Sequence, residues 1–214
     1  MRKWCFLFVL NCLAMHSTAQ TTDVRHTYNL ELSLPNSVSN KAFQDIMQGL
    51  VNASTYYQYT FKNGLNLGAG IRYSYFTINE FRVPEPVSGG LHSGAAFLKI
   101  GWQKFFNETL GLDIGIKTGY SQNYFLTNLN DSIGTNPLQI NNVYAEPSLG
   151  LILMADERTS YRFYAGYGLQ DFVFTPSLLG LSTNGGYVGD KVKSRSGYFL
   201  FGFGFTFYFS NKEK

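Results

Sequence analysis

The residues best suited to nucleophilic chemistry are His92 and Ser93, a base and a hydroxyl that stand side by side in the chain. Adjacent residues of an extended strand point to opposite faces, so the two side chains would not meet there. His26 is the other histidine after residue 19, and the chain lacks zinc-protease, phosphate-loop and nucleophile-elbow motifs. The sequence therefore predicts no catalytic residue, no metal site and no cofactor.

A second set of residues is charged and lies inside segments that are otherwise apolar or rich in glycine. These residues are Glu31, Arg72, Lys99, Asp113, Lys117, Glu146 and Arg162. Charges removed from water are costly unless they pair, so we expect an ion-pair network rather than isolated groups. Asp113 and Arg162 lie nearer to the ends of their segments than the others, which predicts a second pair between these two.

The segments that carry these charges alternate between bulky apolar residues and small or polar ones. In 110–120, leucine, isoleucine and tyrosine occupy even-numbered positions, whereas glycine, Asp113 and Lys117 occupy odd-numbered ones; we call this odd or even position the parity of a residue. A period of two indicates a β-strand with one apolar face. Eight predicted strands follow one another, at 26–35, 49–62, 65–80, 93–106, 110–124, 140–155, 161–175 and 194–209.

Short and long connections alternate between the predicted strands. Tight turns are predicted at 62–64, 107–109 and 156–159, and Asn63-Gly64 is a strong hairpin signal. The other connections are longer, at 36–48, 81–92, 125–139 and 176–193. Short turns at one end and long loops at the other are typical of outer-membrane barrels.

Two of the long connections carry apolar residues. In the first, Phe43, Ile46, Met47 and Leu50 recur at helical spacing and predict a short helix, capped by Ser39 or Asn40 and ended by Gly49. In the last, the leucines are expected at the membrane rim, against lipid or a hydrophobic ligand; they are Leu178, Leu179 and Leu181.

The last strand indicates which face is outside. Phenylalanine occupies every second position after Tyr198, at Phe199, Phe201, Phe203, Phe205, Phe207 and Phe209. A soluble barrel would bury such a stripe, but strands of about ten residues match a tilted bilayer crossing. Glycine on the other parity suits a narrow interior. We predict an all-β fold, a transmembrane eight-stranded antiparallel up-and-down β-barrel, with an aromatic girdle beside the short turns that includes Tyr208.

Composition and the first residues support export. Residues 1–19 begin with Arg2 and Lys3, continue with a short apolar run and end in small residues, which predicts a signal peptide before a barrel domain at 20–214. Both cysteines lie within 1–19. The remaining chain is close to neutral, so we expect no nucleic-acid partner.

The whole of 20–214 resembles the small eight-stranded outer-membrane barrels of the OmpA, OmpX and OmpW type. The stretch 198–209 resembles the C-terminal signal read by the barrel-insertion machinery, although residues 210–214 follow the final phenylalanine. The resemblance implies a protein of the Gram-negative cell envelope, located in the bacterial outer membrane, with membrane lipid and the insertion machinery as partners. Many functions share this architecture.

Three functions are compatible with such a barrel. The first is a plugged polar lumen with a structural or surface-interaction role, in which the long extracellular loops contact an extracellular ligand that the sequence does not identify. The second is a narrow porin-like pore or conduit for small solutes or hydrophobic molecules, with the surplus of inward positive charge favouring anions. The third is an outer-membrane lipid-modifying enzyme, since His92-Ser93 weakly resembles the Ser-His pair of lipid-modifying barrel hydrolases.

Overall fold

The computed structural model describes residues 25–83, 85–181, 186–187 and 189–209. The predicted signal peptide at 1–19 and the tail at 210–214 lie outside the described residues. The described chain forms a closed barrel of eight antiparallel strands in sequence order, as predicted. The strands are β1 Arg25–Ser39, β2 Met47–Thr60, β3 Leu65–Ile78, β4 Gly89–Phe105, β5 Leu110–Thr127, β6 Leu138–Met154, β7 Thr159–Gln170 and β8 Ser196–Phe209.

The first and last strands close the barrel. β1 pairs with β8 from His26 opposite Phe209 to Ser39 opposite Gly197, with one irregularity near the loop end. Closure leaves no open sheet edge, which is the condition for a sheet to survive in hydrocarbon. Among the described residues, none of the helices has the length and apolar character to cross a membrane.

The outer face of the barrel is apolar, as the alternation predicted. The six phenylalanines of β8 are between 36% and 61% exposed, whereas Tyr198 and Leu200 on the other parity are fully buried. The same division runs around the sheet: Leu98 and Ile71 face outwards, and Lys99 and Arg72 face inwards. The side assignment made from the sequence is confirmed.

One end of the barrel carries short turns built by asparagine, aspartate and glycine. Asn63 Oδ1 accepts a hydrogen bond from the Leu65 amide at 3.1 Å, and Gly64 has a φ of 86°, which favours glycine. Asn107 Oδ1 accepts from the amides of Thr109 and Leu110 at 2.9 and 2.7 Å. These side chains replace water as partners of the turn backbone.

The other end carries the longer connections and two short helices, α1 Lys41–Ile46 and α2 Asn128–Ser132. Asn40 caps α1 by accepting from the Phe43 amide at 3.1 Å, so the predicted first-loop helix is confirmed. The prediction that Gly49 ends it is wrong, because the chain already enters β2 at Met47. Gly49 is instead a close-contact position, where a Cβ would lie 2.1 Å from the Pro35 carbonyl oxygen.

β7 is shorter than predicted. It ends at Gln170, opposite Ser196 at the start of β8, whereas the sequence extended it to residue 175. Beyond Gln170 the apolar alternation continues, but Phe172 and Phe174 are buried at the loop end of the barrel. The alternating pattern therefore continues beyond the end of the strand, because the inward side chains after Gln170 pack against the loops rather than in the sheet.

Two of the seams between strands are interrupted near prolines. β1 and β2 pair from Arg25–Thr60 to Ser33–Asn52, and Pro35 follows just beyond that point. β6 and β7 pair up to Ala145–Leu169 and resume at Ser148–Gly166, so the gap falls on Pro147. Proline has no amide hydrogen to donate, which explains why a ladder weakens where one is inserted.

Candidate functional site in the barrel interior

The centre of the barrel contains a lysine that bridges two carboxylates. Lys117 Nζ on β5 lies 2.5 Å from Glu31 Oε2 on β1 and 2.8 Å from Glu146 Oε1 on β6. All three side chains are almost fully buried. The register supports the second contact, because Lys117 and Glu146 are direct cross-strand partners.

A second pair of carboxylate contacts lies towards the short-turn end. Asp113 Oδ2 is 2.7 Å from Lys99 Nζ and 2.6 Å from Arg162 Nη2. The contact with Arg162 is an ion pair without hydrogen-bond geometry, since that nitrogen has no hydrogen-bond partner among the described residues. Arg162 Nη1 also lies 3.1 Å from Glu31 Oε1. Asp113 and Arg162 therefore meet, but inside one continuous network rather than as a separate pair.

Tyrosines complete this network. The Tyr56 hydroxyl donates to Glu31 Oε1 at 2.7 Å and accepts from Arg162 Nη1 at 2.6 Å. The Tyr144 hydroxyl donates to Glu146. The sequence analysis did not assign Tyr56 to the site. The available signal was its position next to the exposed Tyr57, because adjacent residues of a strand point to opposite faces.

Arg72 differs from the other inward charges. Among the described residues it has no carboxylate partner; its guanidinium carbon stacks 3.8 Å from the centre of the Tyr144 ring. It also donates to the Tyr198 hydroxyl, and to Ser93 Oγ at 3.3 Å. Arg72 is held by cation–π and neutral hydrogen-bond contacts rather than by an ion pair.

A cluster of buried apolar residues, called the plug below, packs at the loop end of the barrel interior and includes Phe43, Phe76 and Phe174. Phe43 of α1 lies 5.3 Å from Phe76 and 5.4 Å from Phe174, measured between ring centres. Leu179 and Leu181 belong to the same buried cluster. The prediction that these two leucines face lipid at the rim is wrong, because the last connection folds inwards over the barrel mouth.

The plug is tied down by polar contacts between the first and last connections. Asn40 Nδ2 donates to the carbonyl oxygens of Phe174 and Ser194, each at 2.9 Å. The Tyr187 hydroxyl donates to Asp45 Oδ2 at 3.2 Å, and burial together with that carboxylate raises the pKa of Tyr187. α1 is therefore fixed to the last connection by side chains outside the strands.

At the short-turn end, the prediction of the aromatic girdle is wrong for one residue, Tyr208. Tyr57, Trp102 and Tyr161 are exposed on the outer face, as an interfacial girdle requires. Tyr208 is instead buried inside, where its hydroxyl lies 3.2 Å from Ser160 Oγ. Its even parity places it with Thr206 rather than with the phenylalanines of β8.

His92 and Ser93 point to opposite faces of β4. His92 Nδ1 lies 2.8 Å from the Tyr73 hydroxyl on the outer side, whereas Ser93 Oγ is inside, 3.1 Å from Ser121 Oγ. The imidazole therefore does not activate the serine hydroxyl. Within the part of the chain that is described, no cluster of three metal-ligating side chains occurs either.

Comparisons with known proteins identify the architecture. No family model and no curated protein sequence matches the chain. Neisserial surface protein A has a similar structure, with a TM-score of 0.54 and 10% identity over 86% of this chain and 97% of its own. The attachment invasion locus protein Ail of Yersinia pestis, in complex with the heparin analogue sucrose octasulfate, gives 0.51 and 10% over 88% and 100%.

Both proteins are small eight-stranded outer-membrane barrels. This chain has the fold of the small eight-stranded outer-membrane barrels. At 10% identity the similarity extends to the fold and not to the side chains of the lumen or the loops. The interior network and the plug are therefore features of this chain's own residues.

Proposed function

We propose that the protein is an integral outer-membrane barrel with a closed lumen, which presents its loop end at the cell surface. The observation that carries this proposal is the layering of the interior. Paired charges occupy the centre, and the apolar plug around Phe43 and Phe174 covers them at the loop end. An ion entering from the loops would have to displace packed aromatic rings before it met a charge.

The membrane part of the proposal rests on the outer face. Exposed phenylalanine, leucine and isoleucine cover strands of 12 to 18 residues, enough for a tilted crossing. Contact of this whole surface with water would be unusual, because large contiguous apolar patches are rare on soluble proteins. Outer-membrane lipid is accordingly the proposed partner of this face, and β8 is the proposed recognition strand for the barrel-insertion machinery.

A surface-interaction role is supported by apolar side chains that are exposed at the loop end. Phe81, in a 3₁₀ turn at Glu80–Arg82, is 99% exposed, and Ile133 beside α2 is 63% exposed. The loops hold five basic and six acidic residues, Lys41, Arg82, Lys191, Lys193, Arg195, Asp45, Glu80, Glu85, Asp131, Asp171 and Asp190. This balance does not favour a strongly sulfated ligand of the kind bound to Ail. We propose an extracellular ligand with apolar surface instead.

Single-channel recording in planar bilayers tests the closed lumen. The refolded protein should give no discrete openings, and Phe174→Ala, which opens space in the plug, should give brief openings more often than Phe81→Ala. Steady wild-type conductance that is abolished by changing Arg72 or Lys117 would establish a pore and overturn the closed lumen.

An adhesion assay tests the surface role. Cells that display the protein should attach to a protein-coated surface more strongly than to a heparin-coated one. Phe81→Ser combined with Ile133→Ser should lower attachment without lowering the amount of folded barrel. Equal attachment by cells with and without the protein on both surfaces would leave only a structural role.

A conduit for hydrophobic molecules is the second candidate, favoured by the interrupted β1–β2 seam. Leu34 and Leu50 are exposed on the outer face beside this seam, and Ile46 and Met47 of the plug lie just inside it. A photoreactive fatty acid in vesicles distinguishes the two functions. Labelling of Ile46 or Met47 that is lost in Pro35→Val supports the conduit, whereas labelling confined to the outer face supports the closed barrel.

A further inference from the structure

The buried charges of the lumen do not balance. The described interior contains three buried carboxylates, Glu31, Asp113 and Glu146, and four buried cations, Arg72, Lys99, Lys117 and Arg162. Lys99, Lys117 and Arg162 all contact carboxylates within 4.0 Å, so the ion-paired network is neutral as a unit. One positive charge is left over, and it resides on Arg72.

Arg72 is buried without a counter-ion in the described chain. Its relative exposure is 3%, and its Nε has no hydrogen-bond partner among the described residues. The Tyr144 ring and two hydroxyls stabilise the guanidinium, but they carry no negative charge. Glu146 attracts the guanidinium at longer range, but its carboxylate is already paired with Lys117. An uncompensated charge in a medium of low dielectric constant is strongly destabilising, so a compensating anion is expected close by.

The surroundings of Arg72 form a neutral polar layer between the ion-paired network and the plug. Ser93 Oγ, which accepts from Arg72, also lies 3.1 Å from Ser121 Oγ and accepts from Gln170 Nε2 at 3.2 Å. Ser196, the strand partner of Gln170, has a buried Oγ without a hydrogen-bond partner among the described residues. Hydroxyl groups and a guanidinium N–H are the donors that bind a small halide ion.

We propose that a small monovalent anion of the chloride class binds in this layer, as the counter-ion of Arg72. It accepts a hydrogen bond from Arg72 Nε, and the serine hydroxyls of the layer complete its coordination. A larger or more highly charged anion is disfavoured, because the surplus charge is single and the layer is bounded by packed aromatic side chains. The site is independent of any ligand that the loops bind.

Crystals of the refolded protein grown in sodium bromide test the site directly, since bromide replaces chloride and scatters anomalously. The expected result is an anomalous peak within hydrogen-bond distance of Arg72 Nε in the wild type. The peak should be absent from Arg72→Met. Full occupancy of the layer by water in the wild type, with bromide found only at the protein surface, would overturn the proposal.

The chloride dependence of unfolding tests the same site in solution and does not require Arg72→Met to fold. The urea midpoint of unfolding in vesicles should rise saturably when chloride replaces gluconate at constant ionic strength. Arg72→Lys should retain a chloride effect, and Lys193→Gln, which removes an exposed loop cation, should leave it unchanged. Equal midpoints in chloride and gluconate for the wild type, or a chloride effect that persists without a cation at position 72, would contradict an anion at Arg72.

Discussion

Lys117 and Glu31 stand on opposite walls of the barrel, and their side chains meet at its axis, with Nζ and Oε2 2.5 Å apart. β5 and β1 are four strands apart in a closed barrel of eight, so this ion pair spans the full diameter of the lumen. Glu146 adds a second carboxylate from the neighbouring strand. The pair joins residues that are 86 positions apart in the chain.

Removal of Lys117 should be among the most damaging single changes in the lumen. Lys117→Met leaves Glu31 and Glu146 as buried carboxylates without their bridging ammonium. Breaking a buried ion pair from one side typically costs about 3–5 kcal/mol of unfolding free energy. Urea unfolding in phospholipid vesicles, followed by the difference in gel mobility between folded and unfolded barrel, measures the loss.

The matched control for this change is Lys193→Met, since that lysine lies on the surface of the last connection and should cost less than about 0.5 kcal/mol. Adding Glu146→Gln to Lys117→Met should restore part of the loss, because one of the two uncompensated charges is removed. A Lys117→Met protein with the wild-type urea midpoint would show that the network does not stabilise the fold.

The outer face should tolerate charge in a way that depends on depth. Phe201→Arg introduces a charge into the middle of the lipid-facing stripe and should cost about 2–4 kcal/mol, whereas Phe209→Arg at the short-turn end should cost about 0–1 kcal/mol. Both residues are exposed on the same strand, so they form a matched pair. Equal costs for the two variants would contradict the proposed position of the bilayer.

The plug should depend on Phe43. Phe43→Ala removes a fully buried ring between Phe76 and Phe174, which typically costs about 3–5 kcal/mol when a cavity remains. Because α1 is a local element, we expect much of this loss as easier proteolysis within 40–46 rather than as global unfolding. Phe81→Ala is the control and should leave the cleavage pattern unchanged; a plug that resists protease in both variants would refute a packed role for Phe43.

The turn at 156–159 should show a defined acid dependence. Asp156 Oδ1 accepts from the Arg158 amide at 2.7 Å, which lowers the pKa of this carboxyl below its ordinary value of about 3.9. A lowered folded-state pKa means that the stabilisation is complete above about pH 3.9 and is lost as the pH falls through the folded-state pKa. Carboxyl carbon chemical shifts should show this titration, and Asp156→Asn should remove it; a titration above pH 4 would contradict the assignment.

The strand pattern was accessible from sequence because one variable, parity, decides it. Every predicted strand occurs, and Phe203 and Lys117 lie on the sides that their parity implied. The partners within the lumen were not accessible in the same way. Parity shows that Lys117 points inwards, and the β5–β6 register places it opposite Glu146. Only the closure of the barrel brings Lys117 to Glu31 across the axis as well.

The plug was not predicted from the sequence, because its residues lie in patterns that usually indicate a strand or an exposed loop. Phe172 and Phe174 continue the alternation of β7, and Leu179 follows a proline in a long connection, a place where exposure is common. Their burial depends on how the last connection folds over α1, which is a non-local contact. Tyr208 was misplaced for a different reason. Its even position indicated the barrel interior, but its aromatic character led to the prediction that it belongs to the girdle.

The most direct test of the central claim, hydrocarbon outside the barrel and charges within it, uses a single tryptophan. Trp102 is the only tryptophan after residue 19, so Trp102→Phe combined with Phe203→Trp gives one reporter in the middle of the outer face. Lipids brominated at mid-chain should quench its fluorescence strongly, while aqueous iodide should have little effect. Quenching by iodide with no response to brominated lipid would show that the phenylalanine stripe does not face a membrane.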